Sequence, residues 1–137
     1  MLIWVFGGTA VGKKHFIRHS IPARPGFANF EPAWMDDGEL PESQRELFCR
    51  NNQEYLVRWQ WGREHVLADL RDTYSDITQK IILLRVPSKI AFQRAVEREG
   101  ESPWTRKQLA DECRTIRWVA MGIAADYGIP LTEIDYS

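Results

Sequence analysis

Hydrophobic positions along the chain alternate between short unbroken runs and helically spaced stripes. Leu2-Ile3-Trp4-Val5-Phe6 is a continuous apolar run that ends on a glycine pair, which predicts a strand buried on both faces, as in a parallel sheet. Lys80 to Val86 and Leu131 to Asp135 predict further strands, His65-Val66-Leu67-Ala68-Asp69 predicts one ending in a carboxylate, and Phe27 to Phe30 predicts a short one. Tyr55, Val57, Trp59 and Trp61 alternate as one face of a strand or ribbon. Helical spacing appears in Leu109, Cys113, Ile116, Ala120, Ile123 and Tyr127, opened by a Thr105/Gln108 capping box and stopped by Gly128. Ser43 with Glu46 opens a short helix, and another follows Val86. Strands alternating with helices imply an α/β architecture of three layers, a central parallel sheet of about five strands with helices on both faces.

Composition agrees with one domain spanning residues 1 to 137, since 44% apolar and 12% aromatic residues supply a core. The net charge of −1 excludes a global basic field, so any polyanion must be met by a local patch. Cys49 and Cys113 have no metal-ligand spacing and read as reduced thiols. No run is long enough to span a membrane, and a cytoplasmic location is expected. Residues 21 to 42, broken by Pro22, Pro25, Gly26, Pro32, Gly38 and Pro41, are the expected loop and substrate surface.

The first strand leads straight into Gly7-Gly8-Thr9-Ala10-Val11-Gly12-Lys13-Lys14, which fits GxxxxGK[ST] through its lysine. Glycines let such a loop wrap so that backbone N–H groups face phosphate oxygens, while Lys13 reaches the β and γ phosphates of ATP. Lys14 stands where a Ser or Thr hydroxyl would normally meet Mg2+.

Candidate groups for phosphoryl transfer follow along the chain. In Asp36-Asp37-Gly38 a carboxylate can take a proton from an acceptor hydroxyl, although Asp-Asp-Gly also suits a plain turn. Asp69, at its expected strand end, can hold magnesium directly or through water, or cap the next helix, and Arg71 can clamp an acceptor phosphate. Arg94 and Arg98 share one helix face and can neutralise transferring phosphate, or form a solvated face with Glu97 and Glu99. Among six tryptophans, Trp34, Trp59 and Trp61 fall where an acceptor should bind and could stack on a base or pack internally, whereas Trp4 and Trp118 read as core. His15 and His19, spaced i, i+4 without a third ligand, read as a surface face.

The loop GGTAVGKK, the PGFANF segment leading to Asp36-Asp37, the VLAD run and VPSKIAFQRAVEREG together resemble the small P-loop kinases that include phage polynucleotide kinase and nucleoside monophosphate kinases. The resemblance implies Asp36 or Asp37 as the base, Arg94 and Arg98 as lid arginines, and ATP with Mg2+ as donor. Glu39-Leu40-Pro41 departs from that pattern where polynucleotide kinases carry a phosphate-holding Arg. The segment from Ala68 to Ile77 is also similar to the Ser-Asp-x-Arg strand end of kinases that act on an acceptor phosphate.

The reading is an ATP-dependent kinase in which Lys13 and the loop Gly7, Gly8, Thr9, Ala10, Val11, Gly12 and Lys14 hold ATP. Asp69 assists magnesium, Asp36 is the base, Arg94 and Arg98 stabilise charge, and Asp37, Arg71 and Trp34 bind the acceptor. The expected acceptor is a hydroxyl of a nucleic acid or nucleotide, a 5′-hydroxyl or a hydroxymethylated base. A deoxynucleoside monophosphate kinase that needs Arg71, and a non-catalytic nucleotide-binding module, are the alternatives.

Overall fold

Every residue of β1 (Leu2–Phe6) is buried, because this strand is hydrogen-bonded on both edges and covered on both faces. The computed structural model describes residues 1–19, 46, 49, 54–59, 61, 64–73 and 76–137, with His65 and Asp69 described at the backbone alone. The chain runs from β1 through α1 (Lys13–His19) to β2 (Tyr55–Arg58), α2 (Glu64–Thr73), β3 (Gln79–Arg85), α3 (Ser88–Glu99), α4 (Arg106–Tyr127) and β4 (Leu131–Asp135). These strands form one sheet in the order β2-β1-β3-β4, and every pairing is parallel.

Alternate strand residues feed two cores, as a two-residue side-chain period requires. Leu2, Trp4 and Phe6 join Tyr55, Val57, Ile81 and Leu83 on one face, beneath Val66, Leu67 and Leu70 of α2 and Ile116, Ala120 and Ile123 of α4. Ile3 and Val5 join Leu56 and Leu84 on the other face, against Phe16 and Ile17 of α1 and Ala91 of α3. The buried Trp4 indole donates to Gln79 Oε1 at 2.9 Å, and Gln79 in turn donates to the Leu67 carbonyl, so neither buried polar group is orphaned.

The three-layer parallel architecture expected from the pattern is present, with four strands among the described residues. The Thr105 cap is the reciprocal box: its hydroxyl accepts from the Gln108 N–H at 3.1 Å, and its N–H donates to Gln108 Oε1 at 2.8 Å. Gly128 closes α4 in the left-handed region, φ +65. The strand at Phe27 to Phe30 and the helix opened by Ser43 lie outside the described residues.

Expectation and structure part at two places. His65 to Asp69 is not a strand but part of α2, because Val66, Leu67 and Leu70 recur at i, i+1, i+4 and bury one helical stripe. Trp118 is 78% exposed and not core, since it lies roughly 200° round α4 from the buried Ile116.

Candidate functional site

Parallel strands direct their C-terminal ends to one edge of the sheet, and the loops that leave that edge build the site. Between β1 and α1 the chain must turn sharply, and its glycines are where a side chain would not fit. A Cβ on Gly7 would approach Val11 Cγ2 to 2.5 Å and one on Gly8 would approach Cys113 Sγ to 2.8 Å, while Gly12 has φ +97. Ala10 also has a positive φ of 64, consistent with a tightly wound loop.

Lys13 lies back along this loop, its Nζ donating to the Gly7 carbonyl at 2.7 Å and the Gly8 carbonyl at 3.3 Å. Burial drives its pKa down from 10.5 to about 8, with Arg58 adding to the depression and Glu112 opposing it. Glu112 comes from α4. Its carboxylate accepts the Thr9 backbone N–H at 2.8 Å and the Thr9 hydroxyl at 2.9 Å, clamping the loop from the side opposite α1. Cys113, the next residue, has its thiol pKa raised chiefly by burial.

Two clefts meet at Lys13, Thr9 and Arg58. The larger, of about 760 Å³, is bordered by the loop from Gly8 to Lys14, by His15, Arg18 and His19 of α1, by Arg94, Glu97 and Arg98 of α3, and by Tyr136. Its lining is strongly cationic, as a polyphosphate site requires. The smaller, of about 400 Å³, lies between the tip of β2 and α4, and its lining includes Arg58, Trp59, Trp61 and Glu112. Trp59 is 2% exposed, stacked on Phe6 at 4.4 Å, and its indole Nε1–H finds no acceptor among the described residues. An orphaned buried donor costs about 1–3 kcal/mol.

The expected site residues separate into those gathered here and those elsewhere. The loop from Gly7 to Lys14, with Lys13, is here, and so are Arg94 and Arg98. Arg94 is already engaged: Nη1 donates to the Val11 carbonyl and Nη2 to the Tyr136 carbonyl, both at 2.8 Å, tying the loop to the segment after β4. It braces the loop, whereas Arg98 is exposed and paired with Glu99 at 3.0 Å. Arg71 is at the wrong edge for an acceptor clamp. It pairs with Asp72 at 2.7 Å and lies 4.7 Å over the ring of Tyr127, where α4 ends before β4 begins. Asp69 is on α2 with it, so no strand end presents this carboxylate to a metal. Asp36, Asp37 and Trp34 lie outside the described residues.

Of the two strands hydrogen-bonded to β1, β2 ends in Arg58, and Trp59 just beyond it donates its N–H to the Val5 carbonyl at 3.0 Å. The described residues do not fit a resident magnesium ion. Lys14 follows the loop lysine, Arg58 occupies the neighbouring strand end, and no group of three His, Cys, Asp or Glu among the described residues is arranged to hold a metal. Arg58 and Glu112 were missed by sequence reasoning. The signal for Arg58 was its place directly after Tyr55-Leu56-Val57; Glu112, at the edge of the α4 stripe, carried none that distinguishes it from a solvated acid.

A mostly parallel sheet with a glycine-rich lysine loop between its first strand and helix defines the P-loop kinase-like fold. Three solved structures share it. A gluconokinase from Sinorhizobium meliloti matches 98% of this chain and 82% of its own at 14% identity, TM-score 0.50. The tunicamycin resistance protein of Deinococcus radiodurans matches 93% and 95% at 17% identity, TM-score 0.53. A deoxyadenosine kinase from M. mycoides, solved with dCMP and dCDP, matches 99% and 90% at 14% identity, TM-score 0.50. No family model matches the chain, and no curated protein matches it in sequence. No described helix is long and apolar enough to cross a membrane.

Proposed function

We propose that this chain is an ATP-dependent phosphotransferase that delivers the γ-phosphoryl group to a hydroxyl of a nucleotide or nucleic acid. The observation that carries the reading is the meeting of two clefts at Lys13, one cationic and bordered by the phosphate loop, the other bordered by Arg58 and tryptophans. Phosphoryl transfer needs this arrangement, a donor and an acceptor approaching the same phosphorus from opposite sides, with charge neutralised between them.

In this reading Lys13 leaves the Gly7 and Gly8 carbonyls for the β and γ phosphates, and the loop N–H groups hold the remaining oxygens. The acceptor oxygen bonds to the γ phosphorus as the bond to the β–γ bridging oxygen breaks, ADP departs, and the hydroxyl proton passes to Asp36. Arg98 offsets charge on the transferring group. Arg94 acts through the loop it braces. A monophosphate acceptor clamped by Arg71 has less support, because Arg71 lies on Tyr127 at the far edge of the sheet.

The test is transfer of labelled γ-phosphate from ATP, with and without Mg2+, to 5′-hydroxyl DNA and RNA, hydroxymethylpyrimidine DNA, nucleosides and deoxynucleoside monophosphates. Label on a hydroxyl that is lost in both Lys13→Ala and Asp36→Asn is the expected result. Label on a monophosphate that survives Asp36→Asn would replace this reading with the nucleotide kinase. ATP binding without transfer to any acceptor would leave a nucleotide-binding module, a reading favoured by Lys14 and by the lack of a metal-holding group among the described residues.

A further inference from the structure

We infer that the smaller cleft is the acceptor subsite and that it takes a small compound carrying a flat ring and an anionic group, the chemistry of a nucleoside phosphate. The inference rests on the phosphotransferase reading and adds to it the residues that choose the acceptor. The cleft shares Lys13, Thr9 and Arg58 with the phosphate-loop cleft, so a molecule within it reaches the transferring group directly.

Each side of the cleft offers a different recognition. The Arg58 side chain makes no hydrogen bond or ion pair to a described residue, and it borders both clefts beside Lys13, close enough to help lower the Lys13 pKa. Lys13 and Arg58 bring two cations to the cleft against one carboxylate, that of Glu112, which Thr9 holds, and the net positive lining suits an anion. Trp59 forms part of the cleft wall, its ring held by stacking on Phe6 at 4.4 Å. Trp61 meets Trp59 edge-on with ring centroids 5.2 Å apart and is 54% exposed, leaving a face on which a planar ring can stack. Glu112 closes the far wall with its carboxylate held by Thr9, which fixes the loop's position against the acceptor and repels a second anionic group there.

Phenyl phosphate is the minimal probe, since it carries a ring and one anion. It is titrated into protein already saturated with the imido analogue of ATP, by calorimetry and by tryptophan fluorescence. Inorganic phosphate serves as anion without ring and phenol as ring without anion. Saturable binding of phenyl phosphate at millimolar concentration or tighter is expected. Arg58→Gln should weaken it about tenfold, and Trp61→Leu by a similar factor while leaving inorganic phosphate unchanged. No saturable binding, or binding that neither variant alters, overturns the inference. Binding of the imido analogue itself is measured first, so loss of the nucleotide site registers separately as failure of the phosphotransferase reading. Circular dichroism melts of both variants establish that they fold.

Discussion

Lys13 carries its ammonium into a buried position, donating to the Gly7 and Gly8 carbonyls. Its pKa is depressed from 10.5 to about 8, mainly by burial, and that difference corresponds to about 3 kcal/mol of stability withheld from the folded, ammonium-bearing protein. Below about pH 8 both folded and unfolded chains carry the proton, and the full penalty applies. Between about pH 8 and 10.5 the folded protein releases its proton while the unfolded chain keeps one, so stability rises with pH in that window. Relative to Lys13→Met, the wild type should therefore gain about 2 kcal/mol on going from about pH 7 to about pH 9.5 in the absence of nucleotide. Urea unfolding of both proteins at the two pH values, followed by far-ultraviolet circular dichroism, measures this. The comparison largely cancels the Cys113 thiol, whose raised pKa works in the opposite direction, and the N-terminal amine, whose pKa is lowered. Parallel pH dependences in the two proteins would refute the reasoning. So would a wild type that loses ground to Lys13→Met as pH rises. A polyphosphate reverses the sign at this residue by restoring the charged form, so ATP binding should take up protons near pH 8 and weaken as pH rises beyond it.

Arg94→Ala should cost about 2–3 kcal/mol in urea denaturation, because two backbone carbonyls lose a charged donor, and Arg94→Lys should recover little, since one ammonium cannot span both. Gly8→Ala should destabilise by about 1–3 kcal/mol through its clash with the Cys113 sulfur, and the double variant with Cys113→Ala should restore most of that, a coupling that thermal melts of the four proteins would reveal. Calorimetric titration of ATP with Mg2+ and with a chelator should give affinities within about threefold of each other, because neither the loop nor the β2 tip supplies a magnesium ligand; Lys14→Ser should introduce a preference for the magnesium complex.

The donor half of the site was legible in the chain because it is local. β1, the loop and α1 are consecutive, and Gly7 is required by its contact with Val11 four residues on and Gly12 by its φ, whereas Gly8 is required by Cys113 of α4, a contact only the fold supplies. The α4 cap and its terminating Gly128 were legible for the same reason, each being settled within a few residues. The acceptor half depends on which strand lies beside β1, and that is a tertiary choice. Both 55–61 and 65–69 carry enough apolar residues to be strands. Only packing separates them: Tyr55, Val57 and Trp59 share a face that β1 completes, whereas Val66, Leu67 and Leu70 form a stripe that caps it.

That choice of neighbouring strand changes the chemistry of the site. With 65–69 beside the loop, Asp69 would meet the phosphates; with 55–58 there, the group is Arg58, and a chelating carboxylate becomes a cation. Lys14 makes the same exchange at the end of the loop, a cation in place of a hydroxyl. Such cations repel one another: Arg58 adds to the burial that depresses Lys13, against the pull of Glu112. A tetraanionic phosphate chain relieves that repulsion without any protein-held metal, since each added cation lowers its binding free energy where an acid would have raised it. Arg58 thus joins the two proposals: it neutralises the donor's terminal phosphate from one cleft and recognises the acceptor's anion from the other. Replacing it should weaken both ligands together, and Arg58→Asp should make ATP binding depend more strongly on magnesium than it does in the wild type, which calorimetric titration with and without a chelator measures.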